Sequence, residues 1–150
     1  MIRVQRETFF PESELAGFRA GHAGAGAMAS FVGFVRAEAG HVAALELEHY
    51  AGFTEREIAR IERLALERFN IDGSLVIHRF GRMLPGEPIV LVAAAAAHRK
   101  PALEAVDFLM DYLKTDAPFW KRETGPEGAR WVEPTDKDRA ARQDWKDENA

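Results

Sequence analysis

Apolar and polar residues alternate through the opening run "IRVQRETF", the period-two pattern of a strand with one buried face. "PESELAGFRA" then begins with proline and acidic residues, the usual composition of a first helical turn. "GHAGAGA" reads as a loop, and "MASFVGFVR", Met28 to Arg36, as a second strand. "VAALELEHY" is a third, with Leu45 and Leu47 alternating against Glu46 and Glu48. Next, Ile58, Ile61, Leu64, Ala65 and Phe69 recur at helical spacing, and Thr54 with Glu57 forms the Thr-x-x-Glu pattern of a helix start.

"SLVIHRFG" and "PIVLVAAAAA" are two further strands joined by "RMLPGE", whose Pro-Gly pair signals a turn. The second of these is apolar almost throughout, as a central strand covered on both faces would be. "PALEAVDFLMDYLKT" predicts a helix with proline in its first turn and with Leu103, Val106, Met110 and Leu113 on one stripe. "FWKRE" and "ARWVE" flank "TGPEG" as a hairpin. The order gives an α+β fold with a mixed or antiparallel sheet, helices and a C-terminal hairpin. One domain over residues 1–133 is expected, followed by a charged, weakly periodic and partly mobile tail over 134–150.

Composition narrows the partners more than it changes the fold. At 150 residues, 47% apolar and 29% charged, the chain is the size and make-up of one globular domain. A net charge of -4 argues against a nucleic-acid backbone as main partner, so any anion site must be a local cluster. No apolar run approaches the ~20 residues of a membrane span. The charges in "MIRVQRETFF" fall where a signal peptide needs its apolar stretch, so a cytoplasmic chain is expected. The absence of cysteine removes thiol nucleophiles, thiolate metal sites and persulfide carriers.

Two clusters could carry chemistry. "AHRKP" lies where the apolar strand hands over to a helix, and a helix start offers unpaired N–H groups and a positive dipole end. His98, Arg99 and Lys100 there suit an anion, although a solvated basic turn has the same composition. At the other end of that helix stand Lys114 and, past Pro118, Phe119, Trp120, Lys121 and Arg122. Each has a plain structural reading, as a dipole partner or a packed ring with a snorkelling cation. Together they read as a pocket wall with the cations that a lysine acting as acid, base or nucleophile requires. Arg36 at the end of "FVGFVR" and Arg130 beside Trp131 are further candidates for the same cluster. His22, His41, His49, His78 and His98 are scattered and make no metal-ligand spacing, so no metal and no cofactor is expected. From these residues alone two functions stay open. One is an enzyme with an activated lysine; the other is a non-catalytic module holding a phosphorylated metabolite or a partner's C-terminal carboxylate.

"FVGFVR", "LELEHYAGFTEREI", "VIHRFGRMLPGEPIVLV", "AHRKPALEAVDFLMDYLKTDAPFWKRE" and "WVE" resemble, in the same order, the large subunit of molybdopterin synthase, the MoaE family. The segment "LKTDAPFWKRE" is the most specific of them. The resemblance implies an α/β hammerhead fold and a sulfurtransferase that converts cyclic pyranopterin monophosphate into molybdopterin. Its sulfur comes from the thiocarboxylate at the Gly-Gly terminus of a small ubiquitin-like subunit, so the missing cysteines present no difficulty. It also implies a homodimer of large subunits within a heterotetramer, with a pocket drawing on both large protomers. By motif, Lys114 and Lys121 correspond to the catalytic lysines, and Arg36, His98 and Arg99 to the binders of the pterin phosphate. Phe119, Trp120, Arg122 and Arg130 are expected to wall the pocket or meet the partner. Two departures stand out: an alanine run before His98 where relatives often carry hydroxyl residues, and Arg82 where an acid is frequent.

Overall fold

The computed structural model describes residues 1–36 and 43–147. Its elements are β1 (Ile2–Gln5), α1 (Pro11–Gly21), β2 (Ala27–Phe34), β3 (Ala44–His49), α2 (Phe53–Arg68) and β4 (Gly73–Arg79). They continue with β5 (Gly81–Met83), β6 (Pro88–Ala96), α3 (Arg99–Thr115), β7 (Phe119–Gly125), β8 (Gly128–Val132) and α4 (Asp136–Asp147). His41 and Val42, the latter expected to open the third strand, lie outside the described residues. Among the described residues no helix is long and apolar enough to cross a membrane.

The strands form two four-stranded sheets, where the sequence suggested one. The first has the order β1-β4-β6-β2, with β1 parallel to β4 and the other pairs antiparallel. The second, β5-β3-β7-β8, is antiparallel throughout. The break falls inside "SLVIHRFG": the chain leaves β4 at Arg79, turns through Gly81 at a φ of +87°, and enters the other sheet as β5. A side chain at that φ would be strained, and a Cβ there would also meet the Arg6 guanidinium at 2.7 Å.

Apolar continuity in β6 follows from its surroundings. One face of its sheet packs on α2 and α3, through Val90, Val92 and Ala94 with Ile58, Ile61 and Leu109. Its other face packs against α1, where Phe18 and Phe9 meet Leu91, Ala93 and Ala95. A third cluster, Val35, Leu45, Leu47 and Met83, joins the two sheets.

Helix α2 begins differently from the Thr54–Glu57 expectation. Gly52 caps it at a φ of +82°, and its N–H donates to Glu55 Oε2 at 2.6 Å. Thr54 is fully buried; its hydroxyl accepts from the Tyr50 N–H at 3.0 Å and donates to the Pro118 carbonyl at 3.2 Å. The hydroxyl therefore ties α2 to the turn that leads into β7.

The segment from Pro134, expected as a charged and partly mobile tail, carries α4. Its apolar contribution is one ring: Trp145 sits edge-on to Phe69 and Phe108, at 5.8 and 5.6 Å between centroids. Polar anchors do the rest, so a search for an apolar stripe misses the helix.

His78 links the sheets. It is buried, donates Nδ1–H to the Arg79 carbonyl at 2.9 Å, and stacks on Phe119 at 3.9 Å. Burial pushes its pKa from 6.5 down to about 4, so the ring is neutral at pH 7. On acidification the unfolded chain takes up this proton first, near 6.5, and the folded chain only near 4. The stabilisation is thus complete above pH 6.5, declines as pH falls, and is gone below about 4. Urea unfolding should show the wild type losing roughly 3 kcal/mol more between pH 7 and pH 4 than a His78→Leu variant. Equal losses in both would rule His78 out as the source.

Candidate active site

Helix α3 sets the geometry of the candidate residues. His98 is its N-cap and Lys114 lies in its last turn. Arg99 and Lys114 are thus about 22 Å apart along the axis, at 1.5 Å per residue. The chain reverses between β6 and α3, so Lys114 returns to the end of the sheet where β6 began. Arg36 follows β2 at that same end, because β2 is antiparallel to β6 and Phe34 pairs with Pro88. One protomer therefore places Arg36 and Lys114 at one end, and His98 and Arg99 at the other. Neither His98 nor Arg99 makes a side-chain hydrogen bond or ion pair among the described residues, whereas Lys100 faces Glu104 at 3.7 Å.

Lys114 opens onto a cleft of about 390 Å³ between the β2 edge, α3 and α4. Ser30, Phe31, Leu103, Met110, Asp107 and Asp111 line it with Lys114 and Asp138. The lysine side chain is 55% exposed, and its Nζ lies 3.4 Å from Asp138 Oδ1. Three carboxylates and one amine make this wall acidic within a single chain. Desolvation raises the pKa of Asp111, which the Asp107 and Asp138 carboxylates reinforce and the N–H of Trp145 opposes. Burial would also raise Asp138, but hydrogen bonds from the Thr135 N–H and hydroxyl, with Lys114 beside it, outweigh that and hold it below the usual range. Asp116, at the C-cap of α3, is held low in the same way despite burial, because Arg142 donates to both its oxygens at 2.9 and 2.7 Å.

Strand β7 separates its side chains by alternation. Phe119 turns inward onto His78 and into the core, and half-buried Lys121 shares its face, in register with Leu47 and Val132. Lys121 makes no ion pair or side-chain hydrogen bond among the described residues. Trp120 and Arg122 take the opposite face, so Phe119 and Trp120 do not wall one space. Trp120 is 52% exposed, edge-on to Tyr50 and Trp131 at 6.1 and 6.2 Å. Arg122 donates to Glu46 at 2.8 Å and lies over Trp131, and Arg130 donates to Glu123 at 3.0 Å. The Arg122 guanidinium, through its hydrogen bond and charge, lowers the pKa of Glu46. Among the described residues no group of three or more His, Asp or Glu could hold a metal ion.

A reading of motifs misses three residues of α4: Asp138, which faces Lys114, and Arg142 and Trp145, which bond Asp116 and Asp111 on α3. A signal was present, since Thr135-x-x-Asp138 has the spacing of a helix-start capping pair.

Known proteins resemble this chain over nearly its whole length. The chain is 49% identical to the molybdopterin synthase catalytic subunit of Caulobacter vibrioides, over 99% of each chain. It is 47% identical to the protein of the same name from Pseudomonas aeruginosa, over 97% of this chain and 99% of that one. Among solved structures, the molybdopterin biosynthesis MoaE protein of Burkholderia ambifaria superposes with a TM-score of 0.84 at 46% identity, covering 97% of both chains. The family model described as MoaE protein matches residues 4–116, which take in β2 to β6 and the whole of α3. With a two-sheet fold, an α3 that carries a basic N-terminus and a terminal lysine, and near full-length identity to such relatives, the chain belongs to the MoaE family.

Proposed function

We propose that this chain is the catalytic subunit of a molybdopterin synthase. It transfers sulfur from the C-terminal thiocarboxylate of a small ubiquitin-like subunit to cyclic pyranopterin monophosphate, building the dithiolene. In each transfer the thiocarboxylate sulfur bonds to a side-chain carbon of the pterin as a carbon–oxygen bond there breaks, and water then cleaves the bond from sulfur to the tail's carbonyl carbon. Oxygen from water restores the tail's carboxylate. Lys114 moves the proton or acts as transient nucleophile, and Lys121 stabilises the negative charge that develops as the cyclic phosphate opens. A half-buried lysine without a carboxylate partner suits that second role. Arg36, His98 and Arg99 hold the phosphate.

The observation that carries this reading is the α3 stripe. Leu103, Asp107, Met110 and Lys114 share one face of the helix, and Leu103 is 56% exposed beside Phe31, 43% exposed, on the edge strand β2. A wall so apolar and acidic does not hold an anion unaided. A two-fold axis midway along the stripe, however, sets Leu103 against the second copy's Met110 and Arg99 against its Lys114. That single operation covers the apolar face and completes the cation cluster from two protomers. A homodimer sharing two such sites, with one small subunit per site, is the assembly that follows.

The reading is tested by reconstitution: purified chain, cyclic pyranopterin monophosphate and thiocarboxylated small subunit, with dithiolene product followed by fluorescence after oxidation. Product is expected. A folded chain that binds the small subunit yet forms none would point to the binding-module alternative.

A further inference from the structure

We propose that Asp138 is a positioning residue for Lys114: a carboxylate divided between a helix cap and the reacting amine, which α4 holds in place against the cleft. The inference rests on the reading of Lys114 as the reacting lysine.

A lysine amine at the end of a four-carbon stem has no fixed position on an exposed helix face. Here the carboxylate opposite it is fixed. Asp138 Oδ2 accepts from both the N–H and the hydroxyl of Thr135, at 3.0 and 2.8 Å. The Asp138 N–H returns a bond to the Thr135 hydroxyl at 3.2 Å. This reciprocal cap uses one oxygen and leaves Oδ1 aimed at Lys114 Nζ, 3.4 Å away.

The helix that carries the cap is itself fastened to the last turns of α3. Arg142 grips Asp116 with two hydrogen bonds, and Trp145 Nε1 donates to Asp111 Oδ2 at 2.7 Å. Arg68 of α2 donates to the Trp145 carbonyl at 2.7 Å. The carboxylates around the amine thus have different duties: Asp111 is engaged by Trp145, and Asp138 keeps one oxygen for Lys114. Asp107, one turn further back on α3, completes the acidic wall. An incoming anion meets an amine already held on the α4 side of the cleft, with its charge balanced until the substrate takes over that balance.

The experiment uses the full chain with thiocarboxylated small subunit and cyclic pyranopterin monophosphate. It compares single-turnover rate, substrate affinity and Tm for wild type, Asp138→Asn, Thr135→Ala and Lys114→Ala. Asparagine can still accept from Thr135, so the cap persists while the carboxylate is lost. The rate of Asp138→Asn is expected to fall by about ten- to a hundredfold, the scale of a displacement near 1 Å in a reacting group. Affinity and Tm should stay at the wild-type values. A wild-type rate in Asp138→Asn overturns the proposal. So does a rate loss in Asp138→Asn accompanied by the same Tm loss as in Thr135→Ala, which would assign Asp138 to capping alone. If Lys114→Ala is inactive while Asp138→Asn is not, only the positioning role fails. If Lys114→Ala keeps its rate, the reading of Lys114 fails and this inference with it.

Discussion

Lys114→Ala is expected to reduce dithiolene formation by ~10²–10⁴-fold, the range over which a positioned acid or base contributes. The chain should remain folded and still bind its small subunit. Lys114 projects from the last turn of α3 with its side chain 55% exposed, and its ion pair to Asp138 is half open to water. Such a pair contributes only about 0.2–1 kcal/mol, and its solvent screening places it toward the low end. The core beneath, Leu109, Leu113 and Tyr112, is untouched by the truncation. The assay is therefore product formed against time, with Tm and small-subunit binding measured on the same preparations. Near-normal product from a folded Lys114→Ala chain would remove the lysine from the chemistry.

The second large effect is a recovery of activity. Arg99→Ala and Lys114→Ala chains, each inactive as a homodimer, should regain roughly a quarter of wild-type activity when unfolded together and refolded as an equal mixture. The reason is the length of α3. One chain cannot bring its two ends together across about 22 Å of helix, so a site using both ends draws them from two copies. In a mixed dimer one site receives both substitutions, and the other receives intact Arg99 from one chain and intact Lys114 from the other. Half of a random mixture is mixed dimer and half of its sites work, which gives the quarter. No recovery, with mixed dimers confirmed by a size or charge tag, would show that Arg99 and Lys114 do not serve a shared site.

Local pattern carried most of the elements. The two-residue period of "LELEH", the long apolar run of β6 and the stripe of α3 each arise from one segment meeting one layer of neighbours, so each is visible within its own window. Boundaries shifted where a single backbone group decides them. Helix α2 starts at Gly52 because a positive φ and the Glu55 carboxylate satisfy the first turn, freeing Thr54 to bond Pro118. Helix α3 starts two residues before Pro101, with His98 as its cap, since proline is tolerated throughout a first turn that lacks N–H partners. The tail helix escaped because its fastening is one indole and several ion pairs, which leave little trace in hydropathy.

By itself the sequence determined the α+β class, the central position of β6, the helix that carries Lys114 in its last turn, and the family, because these reside in periodicity and in contiguous motifs such as "LKTDAPFWKRE". Tertiary structure alone decided that the strands divide into two sheets, that β2 is an edge, and that Phe119 and Trp120 face opposite ways. It also decided that the two basic clusters of one chain lie at opposite ends of α3, and that Lys114 meets a carboxylate 24 residues further along. The physical reason is range. Hydrogen-bond period and burial act over a few residues and are written in order, whereas an ion pair or a sheet edge depends on where the chain returns after it has folded.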